Sequence, residues 1–128
     1  MTKEFDKGVP GRTPWQVVHA PAAAVQATIG QAAGGAAIRN HLVALQATLA
    51  AAVAPADAIN VHVRDGGTGA GTIIWSGAIA AIADGMGVLS IQFDPPLRGT
   101  ANTVLTVEFS AAGPAGSVET VNAQGYAA

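Results

Sequence analysis

The chain has 128 residues, enough for one domain with a real core, and a net charge of −2 that gives no drive toward nucleic acid or an anionic membrane. It has no Cys, which excludes disulfides and thiolate chemistry. No apolar run of membrane-spanning length is free of Gly, Pro or polar residues.

Residues 1–14, MTKEFDKGVPGRTP, lack the apolar segment of a signal peptide, so a soluble protein made in a cytoplasm is expected. Five of the chain's charges (Lys3, Glu4, Asp6, Lys7 and Arg12) crowd into this stretch, together with two Pro and two Gly and no periodicity. We read 1–20 as an extended N-terminal arm and 21–128 as the folded domain. Deleting residues 1–14 is expected to leave the fold intact and to weaken binding to a partner.

Short apolar runs then alternate with turn signals. WQVVHA (15–20) stops at Pro21, and AVQATIGQA (24–32) alternates and stops at Gly34-Gly35. IRNHLVALQATLAAAV (38–53) carries Ile38, Leu42, Leu45, Leu49 and Val53 at helical spacing, and also Val43, Leu45, Ala47 and Leu49 at strand spacing. Periodicity alone favours a helix there, but no other segment offers a helix to pack with it.

INVHVRD (59–65) puts Ile59, Val61 and Val63 on one face and Asn60, His62 and Arg64 on the other. The loop GGTGAGT (66–72) follows, then GTIIWSGAIA (71–80), in which Trp75 is expected to share a face with Ile73 and Ile79. VLSIQF (88–93) turns Leu89, Ile91 and Phe93 inward and ends at Asp94-Pro95-Pro96. TVLTVEF (103–109) turns Leu105, Val107 and Phe109 inward, and VETVNAQGY (118–126) closes the chain. Period-2 runs at this spacing, separated by Gly, Pro and Asn, predict an all-β sandwich or barrel.

The glycine loop invites comparison with a phosphate cradle, which needs a Lys after the last Gly and a helix behind it. Here Thr72, Ile73, Ile74 and Trp75 follow Gly71, no Lys occurs beyond Lys7, and position 72 is Thr where the dinucleotide fingerprint needs a third Gly. The loop therefore reads as a hairpin turn whose glycines supply positive φ.

His19, His41 and His62 show no metal-site spacing, and DxDxDG is absent. Asp57, Asp65, Asp84, Asp94, Glu108 and Glu119 fall singly, and no Ser sits in GxSxG. No catalytic residue, cofactor or metal is expected. Trp15, Trp75 and Tyr126 would make only a sparse sugar-stacking platform.

Charged residues make up 11% of the chain, against about 25% in a typical domain, and five lie in the arm. A domain with so uncharged a surface is prone to associate. We expect much of it to be covered by other protein, in an oligomer or a larger assembly.

Four stretches carry a resemblance when taken together: IRNHLVALQAT (38–48), VHVRDGGTGAGTIIWSG (61–77), FDPPLRGTANTVLTVEFS (93–110) and VNAQGY (121–126). The set resembles small β-sandwich structural proteins of tailed bacteriophages, among them the decoration, or cement, proteins of the outer capsid surface. The resemblance spans roughly 24–126, is one of turn and strand pattern, and leaves the arm uncovered.

It implies a jelly-roll-like antiparallel sandwich of about eight strands, commonly trimeric, that binds the major capsid protein and clamps neighbouring capsomers. Together with the missing helix partner, it assigns 38–53 to a strand. The expected location is the virion, on the outer capsid surface. The expected contacts with capsid or sister subunits are Phe5, Val9, Pro10, Arg12, Pro14 and Trp15 from the arm, and Arg98 and Asn102 from the loop LRGTANT. Arg98 can pair with a carboxylate or with carbonyl oxygens, and Asn102 suits a left-handed turn position. The alternative is a tail or fibre module that binds a host glycan or protein, which requires Trp15 or Trp75 to be exposed.

Overall fold

The computed structural model describes residues 11–51, 55, 59–79 and 85–128. Eight strands run in chain order: β1 (Thr13–His19), β2 (Thr28–Gln31), β3 (Asn40–Ala51), β4 (Ile59–Asp65), β5 (Thr72–Ile79), β6 (Gly85–Arg98), β7 (Leu105–Phe109) and β8 (Val118–Ala127). They form two four-stranded antiparallel sheets, ordered β1-β8-β3-β6 and β2-β7-β4-β5. Successive strands alternate between the two sheets, except β4 and β5, which form a hairpin within one sheet. This is the double-sheet connectivity of a jelly roll, as expected.

The core lies between the sheets. Leu42, Leu45, Ala47 and Leu49 of β3 face Val61 and Val63 of β4 and Leu105, Val107 and Phe109 of β7, with Val121 and Ala123 of β8 beside them. Each large side chain so buried contributes about 1.5–3 kcal/mol. The ambiguous segment 38–53 is a strand, because β3 is central and pairs with both β8 and β6. Partners on both edges and a buried inner face override alanine's helical preference.

The structure departs from the sequence reading in several places. Thr13–His19, which falls in the stretch read as an arm, is strand β1, paired along its length with β8. A deletion that spares the sheet therefore stops before Thr13, so removing residues 1–14 cuts into β1. Asp94-Pro95-Pro96 does not end its strand, since β6 continues to Arg98. The ladder with β3 steps from Gln92 opposite Ala44 to Leu97 opposite Leu42, so the prolines sit in an irregularity where they owe no ladder donor. The other side of β6 is a sheet edge.

Ile73 does not share the inner face with Trp75. A second irregularity, between Val63 and Arg64, places Trp75 opposite Val63 and Ile73 opposite Arg64, and Ile73 is exposed. Trp75 lies over Gly77 and meets Phe93 edge-on, with ring centroids 5.4 Å apart.

Candidate functional site

The outer faces of the two sheets present different chemistry. On the β2-β7-β4-β5 sheet, Thr28, Glu108, His62 and Ser76 lie in one cross-strand row. The loop from Gly66 to Gly71 folds over this face. Gly66 and Gly69 take φ of 129° and 69°, conformations that side chains disfavour.

Thr106 Oγ1 donates to Gly66 O at 2.7 Å, and Thr28 Oγ1 lies 3.2 Å from Thr68 Oγ1. Arg64 Nη1 donates to Gly71 O at 2.8 Å, and its Nε is paired with Glu108. Gly69 N donates to Glu108 Oε1 at 3.0 Å. The loop thus does use an amide to bind an anion, and that anion is the chain's own carboxylate. Glu108 is only 3% exposed as a result. Gln26 also donates to Glu108 and to Phe109 O, and His62 Nδ1 lies 2.9 Å from Ser76 Oγ. The Glu108 carboxylate, next to His62 in the row, is held by Arg64 and Gly69. Nearly every polar side chain of this face has a partner within the chain.

The outer face of the β1-β8-β3-β6 sheet is built from the residues between the core positions. Register sets them in cross-strand rows of three kinds. At one end stand Pro14, Tyr126, His41 and Arg98. Next come two amide rows, Gln16–Gln124–Ala44–Gln92 and Val18–Asn122–Gln46–Ser90. Beyond them lie Thr120–Thr48–Val88 and Val118–Ala50–Met86. The face grades from cationic through neutral amide to apolar. The amide rows, with Ala44 among them, line an open concavity of about 580 Å³.

Among the described residues, none of these side chains hydrogen-bonds to another part of the chain, apart from a contact between His41 and the main chain of Ala128. At the apolar end, Met86 is 62% exposed, Val88 57% and Val118 40%, and Val18 is 56% exposed beside the amides.

The cationic row is ordered by stacking. The Tyr126 and His41 rings are nearly parallel, 12° apart in plane and 4.5 Å between centroids. The Arg12 guanidinium carbon sits 4.4 Å from the centroid of Tyr126, in cation–π range. Burial, and then the charges of Arg98, Arg12 and Arg39, hold the His41 pKa below its ordinary 6.5. Arg39 is tethered through Nη1 to Gly99 O at 3.0 Å. Among the described residues the one ion pair is Arg64–Glu108, on the opposite sheet, so these three arginines have no carboxylate partner.

Of the residues singled out by sequence, Arg12, Pro14 and Arg98 come together in this row. Trp15 alternates with them and points inward, its ring over Gly125 and against the core. Asn102 lies in the β6–β7 loop with φ 54°, the left-handed conformation expected of it, and donates from N to Ile38 O at 2.8 Å. That loop is fastened further by Gly99 N to Asn40 O at 2.9 Å and by both carboxylate oxygens of Asp65 on Thr100. Phe5, Val9 and Pro10 lie outside the described residues.

Sequence reasoning weighed His41 only as a metal ligand and Tyr126 only as part of a stacking platform, and placed neither among the contact residues. The signal was positional. Arg12 and Arg39 precede β1 and β3, while Arg98 and Tyr126 end β6 and β8, and in an antiparallel sheet of this order those termini meet at one end.

No family model matches the chain, and no curated protein matches it. Among solved structures, the chain is similar to one from the cowpea mosaic virus top component, the naturally occurring empty particles. Identity is 14%, the match covers 91% of this chain and 86% of that one, and the TM-score is 0.49.

Proposed function

We propose that the chain is a non-enzymatic virion structural protein of the decoration type. It sits on the outer surface of a tailed-phage capsid and stabilises contacts between major capsid protein subunits. The observation that supports this reading is the contrast in how the two faces are satisfied. One sheet hides its polar groups under its own loop, while the other presents a graded, largely uncharged surface that no described residue covers. A surface of that kind is a liability in an isolated domain and an asset in a lattice, where another protein covers it. Several such contacts, made at once by a homotrimer, would reach high avidity from weak individual affinities. The role needs no cofactor and no nucleic acid.

The alternative, a tail or fibre module that stacks a glycan on tryptophan, finds less support, because Trp15 and Trp75 both pack inward.

The test is co-sedimentation of the purified chain with heads of the parent virus that lack it. Saturable binding is expected, together with a higher temperature of genome release. A chain carrying Val88→Asp and Met86→Asp should stay in the supernatant. Wild-type protein that fails to bind heads overturns the proposal.

A further inference from the structure

We propose that the row Arg12–Tyr126–His41–Arg98 is a receptor for carboxylates, which docks an acidic segment of the partner protein against the cationic end of the sheet. The inference rests on the reading of this sheet face as the docking face, and it names the chemistry on the other side.

Three features carry it. The first is unspent charge. Arg12, Arg39 and Arg98 gather at one end of a protein whose net charge is −2, and no described carboxylate answers them. The second is order. The Arg12 guanidinium sits over the Tyr126 ring, which is stacked on His41, so the guanidinium is positioned before any ligand arrives. An arginine fixed in this way loses less rotamer freedom on forming a two-pronged bond to a carboxylate. Arg98 stands on the far side of His41 in the same row, a second fork on the same surface.

The third feature is the neighbourhood. The next two rows hold Gln16, Gln92, Gln124, Gln46 and Asn122. None of these amides bonds to another described residue, and each carries both a donor and an acceptor suited to the main chain of a bound segment.

A nucleic acid is the poorer match. It would need positive charge continued along the groove, and here the charge ends after one row and gives way to neutral amides and then to valine and methionine. A second copy of the chain in an obligate dimer would prefer an apolar centre, and the apolar rows lie at the opposite end of the face.

Binding should depend on pH through His41. The groups around it are Arg98 on β6, Arg12 ahead of β1, Arg39 ahead of β3, Tyr126 on β8 and the main chain of Ala128. Burial and then the three arginines hold the imidazole pKa below its ordinary value. A carboxylate brought onto the row offsets those arginines and favours the imidazolium, so acidification should tighten binding.

The experiment titrates the full chain at low salt with hexaglutamate, hexaglutamine and a thymidine hexanucleotide. It uses calorimetry, with NMR shifts of the His41 and Tyr126 rings as a site-resolved readout. Hexaglutamate should bind, move both rings, weaken with added salt and bind more tightly at about pH 5.5 than at about pH 7.5. Hexaglutamine should not bind. Arg12→Gln with Arg98→Gln should weaken hexaglutamate by about tenfold or more. Arg12→Lys, which keeps the charge and loses the two-pronged guanidinium, should lose affinity by a smaller factor.

Equal binding of hexaglutamine, tighter binding of the oligonucleotide, or an unshifted affinity in the double variant would each overturn the proposal. The NMR map keeps the test independent of any effect the variants have on folding. Failure of hexaglutamate while heads still bind the chain removes the receptor and spares the docking face. Binding of hexaglutamate by a chain that ignores heads removes the decoration reading and spares the receptor.

Discussion

The two outer faces of this sandwich are made from similar residue types and reach opposite outcomes. Both carry Thr, Ser, His, Arg and amides at the outward positions of four strands. On the β2-β7-β4-β5 sheet those groups are knitted to one another and to the glycine loop. On the β1-β8-β3-β6 sheet they stand open in register rows. The difference lies in one connection. The β4–β5 hairpin is long enough to fold back over its own sheet, and no described loop folds over the other sheet. Composition therefore says little about which face of a sandwich is available; the loops decide it.

The closed face is most vulnerable at Glu108. Replacing it with Ala leaves Arg64 half-buried without its carboxylate and frees Gly69 N, Gln26 and the loop together. Removing one partner of a buried pair is strongly destabilising. Because Arg64 keeps some exposure, we expect about 3 kcal/mol, near the lower end of that range, read as a lower urea midpoint. Hydrogen exchange should rise in residues 66–71 ahead of global unfolding. If stability is unchanged, the closed face is not held by this pair.

The strands were legible because period-2 runs bounded by Gly and Pro have one cheap solution, and Ile59, Val61, Val63, Leu105, Val107 and Phe109 point inward as read. The irregularities at Ile73–Trp75 and at Asp94-Pro95-Pro96 were not legible, since the partner strand determines whether a ladder can skip residues there. The Arg12–Tyr126–His41–Arg98 row was out of reach for a related reason. Its members are spread from position 12 to position 126, and only the strand order places them side by side. Glu108 read as a solitary acid because its partners come from a loop and a neighbouring strand.

Acid and base should act with opposite sign on two groups of the β1-β8-β3-β6 sheet, one on its inner face and one on its outer face. Glu119 of β8 is buried, with Oε1 accepting from Ala27 N at 2.8 Å and Oε2 unpartnered. Burial raises its pKa above 4.5. The folded state therefore holds this proton more tightly than the unfolded chain does. The contribution is full below pH 4.5 and is lost as pH rises through the raised value. His41 runs the other way. Its pKa is depressed, so its contribution is present above 6.5 and lost as pH falls through the lower folded-state value. Thermal melts across pH should show Glu119→Gln losing the decline on the alkaline side and His41→Gln losing the decline on the acid side. If both variants keep the wild-type profile, other groups control it.

The smallest change in stability tests the open face most directly. Gln46 and Gln124 sit in the amide rows and bond to nothing described in the chain, so replacing both with Ala should alter folding stability by only about 0.5 kcal/mol. Val88→Lys should be equally quiet, since Val88 lies on the edge strand β6 and points outward. Its effect should appear in association. The first nine residues of β6, Gly85 to Phe93, carry no charge, and an uncharged edge with free backbone donors and acceptors is a template for pairing with another chain. A lysine there should reduce concentration-dependent self-association measured by light scattering and leave the melting temperature in place. If stability instead falls by a kilocalorie or more per mole in these variants, the face is structural, and the asymmetry between the two sheets reflects packing rather than a surface kept open for a partner.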